Sequence, residues 1–208
     1  MSAQREAFLT SVNVSRETME RLDIYAALIS KWSPRINLVA RGSLNHLWAR
    51  HFADSAQIFA LAPKNFVNWV DLGSGGGFPG AVIAILAAQD GADAQITLVE
   101  SDGRKAVFLR ALAREAGVRF SVLTCRIEDL DPQAADVISA RALAPLPSLL
   151  DYADRHLAPG GIALFPKGAR LAEELAIARK TWSFRDEIVP SVTDKEAAIL
   201  KIGEIERA

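Results

Sequence analysis

Residues 71 to 80 read DLGSGGGFPG and bring one carboxylate and five glycines together directly after an apolar run. Two chemistries fit that spacing. Gly75, Gly77 and Gly80 match the G-x-G-x-x-G of a dinucleotide site, where a helix N-terminus holds an anionic pyrophosphate. Asp71 followed by Gly73, Gly75 and Gly77 matches instead the acidic-x-Gly-x-Gly-x-Gly turn that methyltransferases wrap around S-adenosylmethionine. Charge separates the two frames. A carboxylate beside the turn repels a pyrophosphate and attracts the ammonium and sulfonium of S-adenosylmethionine. Asp71 therefore favours the second ligand.

Glu100 closes the next apolar run, QITLV, and a carboxylate there can accept hydrogen bonds from both hydroxyls of a ribose. It lies 20 residues after Gly80, a spacing that dinucleotide sites share, so it supports an adenosine without choosing between cofactors. Ile127 and Glu128 follow the third apolar run, where the adenine belongs: Ile127 to pack on its face, Glu128 to meet its amino group. Lys167 follows the fifth, placed to hold a phosphate or an acidic side chain. The segment after the fourth run, SARALAPL, lacks the Asp/Asn-Pro-Pro-aromatic sequence of enzymes that methylate exocyclic base amines. Cys125, the one cysteine, is the sole candidate for the nucleophile that pyrimidine C5 methylation needs, and it follows the third run rather than the fourth. A ring nitrogen such as guanine N7 already exposes its lone pair, so no catalytic base is required. Catalysis then consists of alignment and desolvation.

These residues need an open α/β sheet to bring them together, because such sheets bind ligands beyond the carboxyl ends of their strands. The pattern predicts strands at 66–71, 95–100, 119–123, 135–139 and 161–166, with helices at 79–89, 103–116, 146–157 and 169–181. Extended runs at 182–190 and 197–205 have no helix between them and must pair as an antiparallel hairpin at the sheet edge. The expected fold class is α/β: a Rossmann-like S-adenosylmethionine-dependent methyltransferase fold, with a mostly parallel seven-stranded sheet and an antiparallel last strand. Residues 1–65 read as an N-terminal helical appendage packed on the core domain of 66–208. Within it, one helix spans 15–33, capped by Ser15 and stopped by Pro34, and a second runs from about Ser43 to Ala62.

Composition narrows the rest. The 208 residues are 50% hydrophobic and carry a net charge of −1, with no run near the roughly 18 apolar residues of a membrane span. A single cysteine leaves no disulfide framework and no cysteine-rich metal site, which suits the cytoplasm. Charge is uneven along the chain. Between Asp23 and Asp54 the only ionised side chains are Lys31, Arg35, Arg41 and Arg50, and from Arg104 to Arg126 the cations face Glu115 alone. Such stretches allow an anionic macromolecule as partner, or simply make solvated helix faces.

The chain resembles the RsmG (GidB) family of bacterial small-subunit ribosomal RNA guanine-N7 methyltransferases. INLVA (36–40), RHFADS (50–55), DLGSGGGFPG (71–80), SDGRKAVFL (101–109), CRIEDL (125–130), SARALAPL (139–146) and FPKG (165–168) carry the resemblance. It implies that Gly73 and Phe78 line the S-adenosylmethionine pocket, that Ile127 and Glu128 sit at the adenine, and that Arg141 works near the methionine end or the incoming guanine as the catalytic residue. Arg141 lies just beyond the fourth strand, where a guanidinium can stack on a base, grip a phosphate or pair with a nearby carboxylate. The resemblance also brings forward Arg50, His51, Asp54 and Ser55, and His51 either faces RNA or is held structurally. Relatives often have Gly-Pro-Gly at 75–77, Asp at 100 and Ser at 140, and none of these departures removes a required group.

Three functions compete on these grounds: guanine-N7 methylation of 16S ribosomal RNA, an NAD(P)-dependent oxidoreductase, and a non-catalytic RNA-binding module on the same scaffold. The expectation is the first, with S-adenosylmethionine as cofactor, no metal, 16S RNA or the small subunit as partner, and a cytoplasmic monomer. Arg41, Arg50, His51 and Lys167 are the expected RNA contacts.

Overall fold

The computed structural model describes residues 3–89, 91 and 93–208, apart from the Arg41 side chain. Ser15 opens α2 (Arg16–Trp32): its backbone is extended and its hydroxyl accepts the Thr18 N–H at 3.1 Å, the local bond that favours serine at a helix start. Met19, Leu22, Tyr25, Leu28 and Ile29 recur at helical spacing and are buried. A short α1 (Ala3–Ser11) precedes it and was not legible from periodicity, because Phe8 is its one buried apolar side chain. The Phe8 ring packs on those of Trp48 and Phe52 at 5.4 and 6.5 Å. The expected helix from Ser43 is broken into three pieces: a 3₁₀ turn (Arg41–His46), a π turn (Trp48–Phe52) and α3 (Ala53–Ala60).

The remaining elements alternate as β1 (Asn68–Leu72), α4 (Gly80–Gln89), β2 (Gln95–Val99), α5 (Gly103–Glu115), β3 (Ser121–Leu123), β4 (Ala135–Ala140), α6 (Leu146–His156), β5 (Leu157–Lys167), α7 (Leu171–Ala178), β6 (Trp182–Pro190) and β7 (Ala198–Arg207). They form one seven-stranded sheet in the order β3-β2-β1-β4-β5-β7-β6. β1 to β5 pair in parallel, while β7 runs antiparallel to both neighbours and leaves β6 at the edge. The terminal hairpin and the sheet class are as expected. β5 starts earlier than expected, taking in Pro159-Gly160-Gly161. Leu157 already pairs with Ala135, and a Cβ on Gly161 would lie 2.7 Å from the Ala135 carbonyl oxygen.

Strand order reverses between β1 and β4, so the ligand crevice belongs beyond the carboxyl ends of those two strands. α4 runs away from that point and is buried on every side from Gly80 to Ala87. It packs between the sheet and α2 and α3, and side chains of residues 8–62 share one continuous core with it. Among the described residues no helix is long and apolar enough to cross a membrane.

Candidate active site

The turn after β1 is held from beneath by a buried hydrogen-bond chain. The Trp69 Nε1–H donates to Ser139 Oγ at 2.9 Å, Ser139 donates to Asp71 Oδ1 at 2.7 Å, and Asp71 Oδ2 accepts the Gly80 N–H at 3.2 Å. Asp71 is wholly buried. Burial pushes its pKa up to about 6, against the pull of Ser139, Ser74 and the Gly80 N–H. Asp71 was expected beside the cationic tail of a ligand. Its carboxylate instead points into the core side of the turn and caps the first N–H of α4. That N–H is the group a pyrophosphate would use, so the dinucleotide frame loses its anchor.

The glycines divide by direction. Gly73 and Gly75 have φ of +66° and +56° and line the crevice. Gly77, expected to bind cofactor, faces the other way: a Cβ there would lie 2.5 Å from Tyr25 Oη and 3.1 Å from Leu109. Tyr25 then donates its hydroxyl to the Gly76 carbonyl at 2.5 Å and lays its ring parallel to Phe78 at 5.0 Å. The turn is clamped between β1 and the N-terminal helices.

Phe78 carries the next layer. His51 packs on its ring at 4.8 Å and the Arg141 guanidinium lies over it at 5.2 Å. Arg141 donates to His51 Nδ1 at 2.6 Å and to the Arg50 carbonyl at 3.3 Å, with Asp54 3.9 Å away. His51 Nε2 then faces Ser43 Oγ at 3.0 Å. Burial, then Arg141 and Arg50, push the His51 pKa down to about 3. His51 is therefore neutral at pH 7 and is held by its neighbours, rather than offered to an anion as a cation. Burial lowers the Arg141 pKa, opposed by Asp54, Tyr25 and Asp71. A guanidinium has five N–H donors, and these bonds leave some for a ligand.

Two adjoining cavities open over this layer. One, of about 510 Å³, is lined by Leu38, Val39, His51, Phe78, Arg141 and the glycine turn. The other, of about 370 Å³, is lined by Glu100, Cys125, Ile127, Glu128, Leu143 and Tyr152. They share Gly73, Gly75, Lys105 and Ala142 and form one cleft. Each oxygen of Glu100 accepts one backbone N–H, from Gly75 and from Asp102, both at 2.7 Å. Carboxylate oxygens have further lone pairs, and a ribose can use them. Glu128 is exposed and accepts the Tyr152 hydroxyl at 2.6 Å. That bond, above other causes, lowers its pKa. These groups fit an adenosine with a non-anionic tail.

Gly73, Gly75, Phe78, Glu100, Ile127, Glu128, Arg50, His51 and Arg141 thus meet at one cleft. Lys167 does not join them as a free cation. Its ammonium is buried, 2.7 Å from Glu174 Oε2, which is the acidic alternative the sequence left open. The side chain of Arg41 lies outside the described residues. Tyr25 carries no local signal and reaches the turn only through the tertiary fold, while Leu38 and Leu143 lie within the INLVA and SARALAPL segments with nothing in the pattern to single them out. Lys105 carries a further signal, lying three residues past the Asp102 cap of α5 and within the SDGRKAVFL segment.

A family model described as GidB, rRNA small subunit methyltransferase G, matches residues 18–202. The chain is 55% identical over 197 residues to a ribosomal RNA small subunit methyltransferase G of Ruegeria pomeroyi, covering 95% of this chain and 96% of the relative. It is 52% identical over 198 residues to one from Rhodospirillum centenum, covering 95% and 89%. Among solved structures, it resembles a ribosomal protein L11 methylase from Lactobacillus delbrueckii subsp. bulgaricus (TM-score 0.58, 20% identity, 78% of this chain and 80% of that one). It also resembles M. jannaschii TYW2 in complex with AdoMet (TM-score 0.55, 12% identity, 84% and 80%). The last two likenesses concern the fold.

Proposed function

Since the chain belongs to the rRNA small subunit methyltransferase G (GidB) family, we propose that it uses S-adenosylmethionine to methylate N7 of a guanine in 16S ribosomal RNA. The observation that carries this reading is the cleft itself. A glycine turn and Glu100 form one end, and a Phe78–His51–Arg141 wall forms the other. When bound, S-adenosylmethionine supplies an electrophilic methyl group on a sulfonium.

The chain's own residues bind, orient and exclude water. Glu100 receives the ribose hydroxyls, Ile127 covers an adenine face, and Glu128 accepts from its amino group. Gly75 lets the backbone approach, because no Cβ stands between it and the ligand, while a Cβ on Gly73 would lie 2.5 Å from the Leu143 side chain. Arg141 is the group placed to hold the incoming guanine, or the carboxylate that precedes it in the cleft, with donors left over from His51 and Arg50. Guanine N7 needs no deprotonation, and His51 spends its one lone pair on Arg141. Holding N7 in line with the methyl group, in a site walled by Phe78 and Leu143, supplies the rate. Arg50, exposed at the cleft mouth, receives an RNA phosphate.

The test is to incubate the protein with methyl-labelled S-adenosylmethionine and either small subunits or protein-free 16S RNA lacking the modification, then to map the label. Label on N7 of one guanine is expected. Label on no RNA overturns the reading, and RNA binding without transfer favours a binding module instead.

A further inference from the structure

The two basic stretches of the sequence lie far apart in the chain, and the fold brings their ends together. The close of α2 packs on the start of α5, with Trp32 and Phe108 edge to face at 5.6 Å. Beside this contact runs a groove of about 380 Å³ lined by Lys31, Trp32, Arg35, Ile36, Arg104 and Val107. Its floor is apolar, with Trp32 and Ile36 half-buried and Val107 53% exposed. Its rim is cationic. Lys31 and Arg35 are exposed and have no side-chain hydrogen bond or ion pair among the described residues. Arg104 meets Asp102 at the surface at 3.2 Å, and Glu115, the one carboxylate lining the groove, is 3.5 Å from Arg114.

A flat apolar floor with cations above it is what proteins present to an unpaired base and its phosphates. Protein interfaces, by contrast, are depleted of lysine and of unneutralised charge at their centres. Position points the same way. Ile36 is two residues before Leu38, which lines the cleft with Val39 and Ala40, and Arg104 precedes Lys105, which lines both halves of it. Two residues span at most about 7 Å, so the groove continues the cleft along one side. A strand that places its target base in the cleft runs past this floor with the next nucleotides.

We infer that the groove between Trp32 and Val107 binds an unpaired nucleotide of the RNA substrate flanking the target base, with the base on the apolar floor and the phosphates at Lys31, Arg35 and Arg104. This site rests on the RNA reading above and adds a second point of contact outside the methyl-transfer cleft.

The four tryptophans make it measurable, because Trp48, Trp69 and Trp182 are buried and Trp32 alone is half-buried. A short oligouridine is expected to quench tryptophan emission of the wild-type protein, and this quenching is expected to vanish in Trp32→Phe. The exposed double variant Lys31→Ala/Arg35→Ala is expected to bind protein-free 16S RNA roughly tenfold more weakly. Its log–log salt slope should be shallower by about 1.4, the value for two single-strand phosphate contacts. KM for RNA should rise by the same factor, while kcat and KM for S-adenosylmethionine stay unchanged. Wild-type RNA affinity and salt slope in the double variant overturn the site. So does a loss seen only with assembled subunits and not with protein-free RNA, which marks a protein contact. A wild-type protein that transfers no methyl group to RNA sinks the underlying function. Normal transfer with an unaffected double variant sinks the groove alone.

Discussion

Arg141 donates a hydrogen bond to His51 Nδ1 at 2.6 Å, a pairing of two basic side chains that works only while the imidazole is neutral. The bond fixes the tautomer: with Nδ1 accepting, Nε2 carries the proton and gives it to Ser43 Oγ, which in turn donates to the Ala40 carbonyl at 2.8 Å. Three segments of the cleft wall are thereby tied to one lone pair.

This tie has a pH signature. The folded His51 pKa is about 3, below its unfolded value of about 6.5, so the unfolded chain takes up a proton first as pH falls. The contribution of His51 is fully present above about pH 6.5 and is lost progressively between pH 6.5 and 3. Asp71 has the opposite sign, since its pKa is raised to about 6, but it is common to both proteins in a comparison. In His51→Gln the amide can accept from Arg141 and donate to Ser43 without titrating. The stability difference between wild type and His51→Gln, from denaturant unfolding, is expected to move against the wild type from pH 7 down to pH 4. A difference that stays constant over that range refutes the neutral-imidazole assignment.

Ser139 links Trp69 to Asp71 wholly inside the core. Ser139→Ala leaves the indole N–H and one carboxylate oxygen buried without partners, each costing about 1–3 kcal/mol. The expected loss is about 2–4 kcal/mol in urea unfolding. Weaker S-adenosylmethionine binding should accompany it, because Asp71 then holds the turn through Gly80 and Ser74 only. A loss below about 0.5 kcal/mol would mean that water replaces the hydroxyl.

Glu100 joins the turn after β1 to the start of α5 through its two backbone partners. Glu100→Ala is expected to weaken S-adenosylmethionine binding by roughly tenfold to a hundredfold, the range for one or two charge-assisted hydrogen bonds. RNA affinity, read by filter binding on the same preparation, should remain within about twofold of wild type. Equal losses for both ligands would show that Glu100 supports the fold rather than the ribose.

Much of this architecture is visible in the chain before folding. The strands and helices alternate with their own periodicities, and a glycine turn after the first strand marks the crevice, so the sheet class and most of the cleft follow from local pattern. What pattern does not carry is direction across long separations. Asp71 reads as a ligand-side charge because its type is visible and its facing is not, and only the fold aims it at Ser139 and Gly80. Gly77 reads as a cofactor residue, yet its missing Cβ makes room for Tyr25, 52 residues earlier in the chain. The π turn that carries Arg50 and His51 is set by Phe8, Trp48 and Phe52 packing together, and no repeat in the sequence announces it.

Lys167 tests that lesson most directly. From the sequence it is a strand-end cation at the ligand face. In the fold its side chain is 7% exposed and its ammonium is 2.7 Å from Glu174 Oε2, which also accepts the Leu146 N–H at 2.8 Å. The pair fastens α7 to the end of β5, and the Leu146 N–H ties it to the start of α6, beside the loop that carries Arg141 and Leu143. Lys167→Met keeps the stem and removes the charge, leaving Glu174 partly buried with the Leu146 N–H as its one remaining partner. Breaking a buried pair from one side costs about 3–5 kcal/mol. Glu174 keeps 19% of its side-chain surface, so a loss of about 2–3 kcal/mol is expected. Lys167→Met/Glu174→Gln, which removes both charges and keeps an acceptor for the Leu146 N–H, should recover most of it. RNA affinity and its salt slope should not change in either variant. A slope lowered by about 0.7–0.9, with stability intact, would return Lys167 to the RNA face as a phosphate contact.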